Sequence, residues 1–136
     1  MTFLSTSEAA DDAHAPMKVL VVDDSNDLLQ LIASWLEDVG YIVTTATSGR
    51  QALDIVQSHD PDIVLLDLVI PPPDGLAVSE SLLHLEHPPE IILMTGVAEP
   101  QRLRRASELG VLLRKPFTSE VLVKTVHEVA LRRAPA

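Results

Sequence analysis

The chain of 136 residues is long enough for one domain with a single sizeable core, and we expect no separate output domain. Hydrophobic residues make up 46% of the chain and aromatic residues only 3%, so Val, Leu, Ile and Ala must fill the core, which favours helices packed on a parallel sheet over an all-β fold. The net charge of -10 argues against direct binding to nucleic acid, whose phosphates repel an acidic surface.

Cysteine is absent, which excludes disulfides, thiol catalysis and thiolate metal sites. The sequence shows neither the pattern of a secretory leader nor an apolar run of the roughly 20 residues that span a bilayer. We therefore expect a cytoplasmic protein that does not associate with membranes.

Residues 1–16 lack sustained periodicity and end at Pro16, which predicts a flexible tail followed by one domain over 17–133. Short runs rich in β-branched residues then alternate with segments of helical spacing. The runs predict five strands, at Lys18–Val22, Tyr41–Ala46, Asp62–Leu66, Glu90–Met94 and Val111–Arg114.

Helical spacing is clearest after the first strand, and Gly40 ends that pattern. We expect the other helices to begin near a capping box of Ser48 and Gln51, after Gly75, at about Pro100, and near Thr118 or Ser119. The apolar positions that define the first and last helices are Leu28, Ile32, Trp35, Leu36 and Val39, and Leu122, Val126 and Val129.

Five strand–helix repeats predict an α/β fold: one doubly wound, five-stranded parallel sheet of the flavodoxin-like type, with helices on both faces. In such sheets the functional crevice lies outside the carboxyl ends of the strands. Polar residues fall at these ends, namely Asp23, Asp24, Asp67, Thr95 and Lys115.

Three carboxylates that lie close together repel one another unless a cation neutralises them, and Mg²⁺ prefers carboxylate, water and phosphate oxygens. Lysine and threonine can both donate hydrogen bonds to a phosphoryl oxygen. The set therefore predicts a phosphoryl-transfer site with a carboxylate nucleophile. Each residue alone also has a structural explanation, as a turn former, a β-former or a surface lysine; their joint position at four strand ends favours the functional interpretation.

Four segments resemble the receiver domain of response regulators in two-component phosphorelays: KVLVVDDS at 18–25, PDIVLLDLVIPPPDGL at 61–76, ILMTG at 92–96 and LLRKPF at 112–117. The resemblance covers about 17–133. It implies that Asp67 accepts the phosphoryl group, that Thr95 and Lys115 contact it, and that the peptide before Pro116 is cis. It also implies a Mg²⁺ site, with Mn²⁺ as an alternative ion, formed by Asp24, Asp67 and the Val69 backbone carbonyl, with Asp23 acting through a water.

The resemblance also implies a histidine kinase or histidine phosphotransfer protein as phosphodonor. Eight of the ten Lys and Arg residues lie in 102–136, against three of the twenty acidic residues. This charge asymmetry indicates either solvated helix faces or a basic surface on the fourth helix, fifth strand and fifth helix that docks a downstream protein.

Four positions depart from the family pattern or vary within it. Leu112 stands where receivers usually carry an aromatic residue, so we expect switching by movement of the Thr95–Gly96 loop rather than by an aromatic rotamer, and Gly96 stands where alanine is commoner. Val69 and Val97, two residues after Asp67 and Thr95, cannot orient a water, which predicts slow loss of the phosphoryl group.

Three alternatives stay open at this point. A dehalogenase-like phosphatase would use an Asp nucleophile and Mg²⁺, but it would need a second acid where Val69 stands. A pseudo-receiver would keep the fold without phosphorylation, and the chain could be a part of a hybrid kinase or a larger regulator. The receiver interpretation predicts no enzymatic activity beyond self-phosphorylation and self-dephosphorylation.

Overall fold

The computed structural model describes residues 16–96 and 99–133, in which five strands alternate with five helices. The strands are β1 (Lys18–Val22), β2 (Ile42–Ala46), β3 (Ile63–Asp67), β4 (Glu90–Thr95) and β5 (Val111–Arg114). The helices are α1 (Asn26–Asp38), α2 (Gly49–His59), α3 (Gly75–Leu83), α4 (Pro100–Leu109) and α5 (Ser119–Arg133). The predicted tail falls almost wholly on residues outside the described part of the chain.

All five strands pair in parallel, in the order β2-β1-β3-β4-β5. Successive side chains of each strand point to opposite faces of the sheet, which divides the core into two clusters. Helices α2, α3 and α4 pack on one face, and α1 and α5 pack on the other. The predicted doubly wound architecture is therefore confirmed, and the predicted stripe of α5 is buried against the sheet.

Side chains cap most helices at their first turn, where backbone N–H groups lack partners within the helix. Ser25 Oγ accepts from Leu28 N, Ser48 Oγ from Gln51 N, and Asp74 Oδ1 from Ala77 N. Thr118, rather than Ser119, caps α5, since its Oγ1 accepts from Val121 N. The predicted capping box differs in one detail, because Gln51 Oε1 accepts from the backbone N–H of Thr47 instead of Ser48.

The predicted strand limits differ from the observed ones by one residue at β2, β3 and β4. Tyr41 precedes β2 because its backbone N–H bonds to Leu36 O at the end of α1, and its hydroxyl pairs with His127 Nδ1 on α5. Strands β3 and β4 extend to Asp67 and Thr95, so the ladder includes both of these site residues.

The Lys115–Pro116 peptide is cis, as the family resemblance implied. A second cis peptide joins Pro72 to Pro73, in the loop between β3 and α3, and the sequence analysis did not anticipate it. Within the part of the chain that the structure describes, no helix has the length and apolar character needed to cross a bilayer.

Candidate functional site

The polar residues that follow or end β1, β3, β4 and β5 meet at the carboxyl edge of the sheet. Parallel pairing produces this meeting, since the register places Val22 beside Leu66, Asp67 beside Met94, and Thr95 beside Arg114. Residues distant in the chain are thereby held at neighbouring strand ends by rigid backbone.

Lys115 connects two of the strand ends through its side chain. Its Nζ lies 2.8 Å from Asp23 Oδ2 and 2.9 Å from Asp67 Oδ2. Its backbone N–H donates to Thr95 O at 2.7 Å, which fixes the lysine next to β4 as well. The ammonium therefore lies where it can neutralise both carboxylates.

The second oxygens of these two carboxylates accept backbone hydrogen bonds. Asp23 Oδ1 accepts from Ser25 N at 2.9 Å, and Asp67 Oδ1 accepts from Val69 N at 3.0 Å. Asp23 and Asp67 are 1% and 6% exposed, so both carboxylates are oriented by the protein and largely removed from water.

Asp24 completes an acidic group with these two residues. It is exposed at the rim, and one ligand oxygen from each of Asp23, Asp24 and Asp67 lies within 4.8 Å of the others. Hard oxygen ligands at this spacing suit a divalent cation such as Mg²⁺. The exposed position of Asp24 fits a direct ligand, while the two oxygens of Asp23 are already engaged by Lys115 and Ser25.

Burial raises the pKa of Asp67, a shift that the hydrogen bonds from Lys115 and Val69 oppose without cancelling it. For Lys115, burial alone would lower the pKa, but hydrogen bonds to Asp23 and Asp67 outweigh that effect and raise it. The lysine therefore remains a cation at neutral pH, and Asp67 carries a desolvation cost that added positive charge would relieve.

Thr95 offers a hydroxyl that has no hydrogen-bond partner among the described residues. The residue is 2% exposed and its Oγ1 is buried. Buried hydroxyl groups are ordinarily hydrogen-bonded, so an unpaired one at the site edge fits a donor for an incoming oxyanion. This observation makes the residues present compatible with a phosphoryl group.

The four positions that depart from the family pattern or vary within it differ in their surroundings. Leu112 is half-buried and packs against the core cluster of α2, α3 and α4. Val69 is 55% exposed beside Asp67, whereas Val97 lies outside the described residues. Gly96 is exposed, and an added Cβ there would meet Lys115 Cβ at 4.0 Å.

Sequence reasoning missed a pair of residues next to the site. Arg102 Nη2 in α4 donates to Asp74 Oδ2 at 3.0 Å and to Leu68 O at 3.3 Å. The two side chains are 28 residues apart, and no spacing rule connects an arginine on one helix to the cap of another. Only the packing of α4 against α3 brings them together.

The profile of the response regulator receiver domain matches residues 19–127. The chain belongs to this family. Among curated relatives, sporulation initiation phosphotransferase F of Bacillus subtilis is 36% identical over 102 residues, which are 74% of this chain and 82% of that protein. Chemotaxis protein CheY of Halobacterium salinarum is 27% identical over 114 residues, 82% of this chain and 95% of the relative.

The solved structure of the chemotaxis response regulator CheY4 of Vibrio cholerae superposes on this receiver with a TM-score of 0.78. It is 31% identical in sequence, and the match covers 85% of this chain and 99% of that one. The predicted fold and family are thereby confirmed, and the phosphatase alternative is wrong, since the chain is a receiver of two-component signalling.

Proposed function

We propose that this receiver takes a phosphoryl group onto Asp67 from a phosphohistidine of a histidine kinase or a histidine phosphotransfer protein. An Asp67 carboxylate oxygen attacks phosphorus, an O–P bond forms, the N–P bond breaks, and the leaving imidazole nitrogen takes up a proton. The observation that carries this proposal is the pairing of Lys115 with two buried carboxylates next to the unpartnered hydroxyl of Thr95.

Each side chain then has a definite task. Lys115 leaves Asp67 and pairs with a phosphoryl oxygen, and Thr95 Oγ1 donates to another. Asp24, Asp67 and the Val69 backbone carbonyl would hold Mg²⁺, or Mn²⁺, directly, and Asp23 would act through a water. The bound ion supplies positive charge that offsets repulsion between the carboxylates and the phosphoryl oxygens. The proposal assigns the receiver no enzymatic activity beyond self-phosphorylation and self-dephosphorylation.

The downstream partner is proposed to dock on α4, β5 and α5, where seven of the ten basic residues of the chain lie. The side chains of this surface are not equivalent, since Arg105 is paired with Glu80 and Glu108 at 2.9 and 3.0 Å. Arg104 is exposed, which makes it the better candidate for an acidic partner. Direct nucleic-acid binding is not part of the proposal, and a cytoplasmic location stays a prediction.

The relative from Bacillus subtilis is named a phosphotransferase, which supports a relay role in which this chain passes its phosphoryl group to another histidine. The proposed functional unit is 17–133, slightly longer than the matched segment at 19–127. A relay and a terminal switch use the same aspartyl phosphate, so the site serves either role.

Incubation with acetyl phosphate and Mg²⁺, followed by intact mass, tests the proposal. Transfer forms an O–P bond at Asp67 and releases acetate. We expect the mass of the chain to increase by one phosphoryl group, and we expect no increase when Mg²⁺ is omitted. No added mass at saturating Mg²⁺ and donor would contradict the phosphoacceptor function and favour a pseudo-receiver.

A further inference from the structure

A single guanidinium joins the first turn of α4 to the backbone that follows the phosphoacceptor. Arg102 Nη2 donates to Leu68 O at 3.3 Å and to Asp74 Oδ2 at 3.0 Å. Leu68 is the residue immediately after Asp67, and Asp74 caps α3 through its other oxygen. Arg102 therefore contacts both ends of the loop that connects β3 to α3.

That loop is held closely to the site. Leu68 O also accepts from Gly75 N at 3.2 Å, and Leu68 N donates to Met94 O at 2.9 Å. A displacement of Arg102 would thus remove one of the two hydrogen bonds from a carbonyl that is one peptide away from Asp67. Contacts of α4 at this point bear directly on the phosphoacceptor loop.

The same helix is tied to Thr95 by a short connection. Strand β4 ends at Thr95 and α4 begins at Pro100, so only four residues of the chain join the threonine to the first turn of α4. Leu112 packs against the core and is not an aromatic residue that could change rotamer between interior and surface. Among the described residues, Arg102 makes the side-chain hydrogen bonds between α4 and the phosphoacceptor loop.

The arginine is not fully satisfied in this arrangement. Its Nε is buried and has no hydrogen-bond partner among the described residues, while about a third of the side chain, 35%, is exposed. An unpaired buried donor offsets part of the gain from the other two hydrogen bonds. Release toward water restores a partner for this nitrogen, which lowers the net cost of opening the contact.

We propose that Arg102 is a positioning residue that holds α4 in its resting place and thereby restrains the movement of Thr95 toward a phosphoryl group on Asp67. This inference rests on the proposed phosphoacceptor function. Because the restraint favours the resting state, its removal shifts the population toward the conformation in which Thr95 reaches the phosphoryl group. Phosphorylation then becomes faster, whereas a purely structural contact would leave the rate unchanged or lower it when broken.

The test uses three variants and one control on the full chain. Arg102→Ala removes the guanidinium. Asp74→Ser removes the charged partner but keeps an oxygen that caps α3, since serine is a preferred cap. Arg102→Lys keeps the positive charge but replaces the planar guanidinium by a shorter side chain whose donors are not held in that geometry. Gln101→Ala removes an exposed polar side chain from the first turn of the same helix and leaves the contact intact.

Labelling by acetyl phosphate in saturating Mg²⁺ is followed by intact mass, and hydrogen exchange of residues 100–109 is measured without donor. We expect Arg102→Ala and Asp74→Ser to be labelled about threefold faster than the original chain, with faster exchange in α4. The labelling rate of Arg102→Lys should lie between these rates and that of the original chain, and the rate of Gln101→Ala should match the original. Thermal unfolding confirms that each variant is folded.

Rates for both Arg102→Ala and Asp74→Ser within about twofold of the original, or below it, would overturn the restraint. If Arg102→Ala fails to fold, Asp74→Ser decides the question alone. Failure of the original chain to accept any phosphoryl group refutes the proposed function instead, so the two failures are distinguished by the unsubstituted protein.

Discussion

Lys115 Nζ lies 2.9 Å from Asp67 Oδ2, although the two residues are 48 positions apart in the chain. The ammonium thus supplies a positive charge to the proposed nucleophile at rest, before any phosphoryl group is present. The same nitrogen is 2.8 Å from Asp23 Oδ2, so it can leave Asp67 for a phosphoryl oxygen without losing its second carboxylate partner.

Asp67→Asn should abolish labelling by acetyl phosphate, because the amide is nearly isosteric with the carboxylate but is not a nucleophile. The amide oxygen can still accept the hydrogen bond from Val69 N, so we expect the fold to persist. Asp60→Asn is the matched control: it makes the same charge change at an exposed residue that ends α2 with positive φ, a conformation that asparagine tolerates. Intact mass measures the labelling of both variants. Labelling of Asp67→Asn to the same extent as the original chain would refute Asp67 as the phosphoacceptor.

Asp24→Asn should weaken Mg²⁺ binding by about tenfold, or about 1.4 kcal/mol, because it removes one of few carboxylate ligands. The residue is exposed at the rim of the site, so the change should cost little stability. Asp27→Asn, which removes an exposed carboxylate from the first turn of α1, is the control. Isothermal titration calorimetry measures both affinities; a titration of the Asp24 variant that matches the original would remove Asp24 from the ligand set.

The raised pKa of Asp67 predicts a pH-dependent difference in stability between the original chain and Asp67→Asn. The folded chain holds a proton on Asp67 at pH values where the unfolded chain, with the ordinary value of 3.8, has released it. Across that interval the unfolded state binds fewer protons, so ionisation of Asp67 lowers the free energy of unfolding as pH rises. In Asp67→Asn the side chain does not ionise, so this decrease in the free energy of unfolding does not occur.

Urea unfolding without metal, between about pH 4 and 7, checks this sign. We expect the stability of Asp67→Asn relative to the original chain to increase with pH, and we expect Mg²⁺ to reduce that difference by stabilising the ionised carboxylate. A relative stability that falls with pH would mean that the bond from Lys115 outweighs burial at this site.

Much of this molecule could be predicted from its sequence, since the succession of strands and helices, the helix faces and the strand ends follow from local patterns. Lys18–Val22 and Val111–Arg114 have the predicted limits because apolar runs with clear breaks define them. The meeting of Asp23, Asp67, Thr95 and Lys115 follows from one rule, that parallel strands share a carboxyl edge.

The parts that escaped prediction depend on contacts between elements. Nothing local places Arg102 on the loop after Asp67, because the contact requires α4 to pack at a particular depth beside α3. The pairing of Arg105 with Glu80 is of the same kind, and it changes which arginine is available to a partner. The contacts that long side chains make between elements cannot be predicted from the periodicity of the sequence.

Gly75→Ala should destabilise the receiver by about 2 kcal/mol or more and slow its labelling. A Cβ at Gly75 would lie 2.5 Å from Asp67 O and 2.6 Å from Leu68 Cα, so α3 or the phosphoacceptor backbone must shift. Gly96→Ala is the control, since its Cβ would meet Lys115 Cβ at 4.0 Å, an ordinary contact. Urea unfolding measures the stability of both variants. Equal stability of Gly75→Ala and Gly96→Ala would show that α3 accommodates the added Cβ without loss of stability.

The lifetime of the phosphoryl group should be long because Val69, two residues after the phosphoacceptor, offers no group that can orient a water. The side chain is 55% exposed, so it lies where water would approach and can be replaced without disturbing the core. Val69→Asn supplies an amide able to hold a water for in-line attack on phosphorus. We expect several-fold faster dephosphorylation in saturating Mg²⁺, a change of about 1 kcal/mol in the barrier.

Val121→Asn, at a 48% exposed valine on α5, is the control for adding an amide to the surface and should keep the original rate. Joint replacement of Val69 by Asn and Val97 by Glu should accelerate the loss further, although Val97 lies outside the described residues. Intact mass follows the loss of the phosphoryl group from the original chain and from Val69→Asn. Equal rates of loss would show that another group controls access of water to the phosphoryl group.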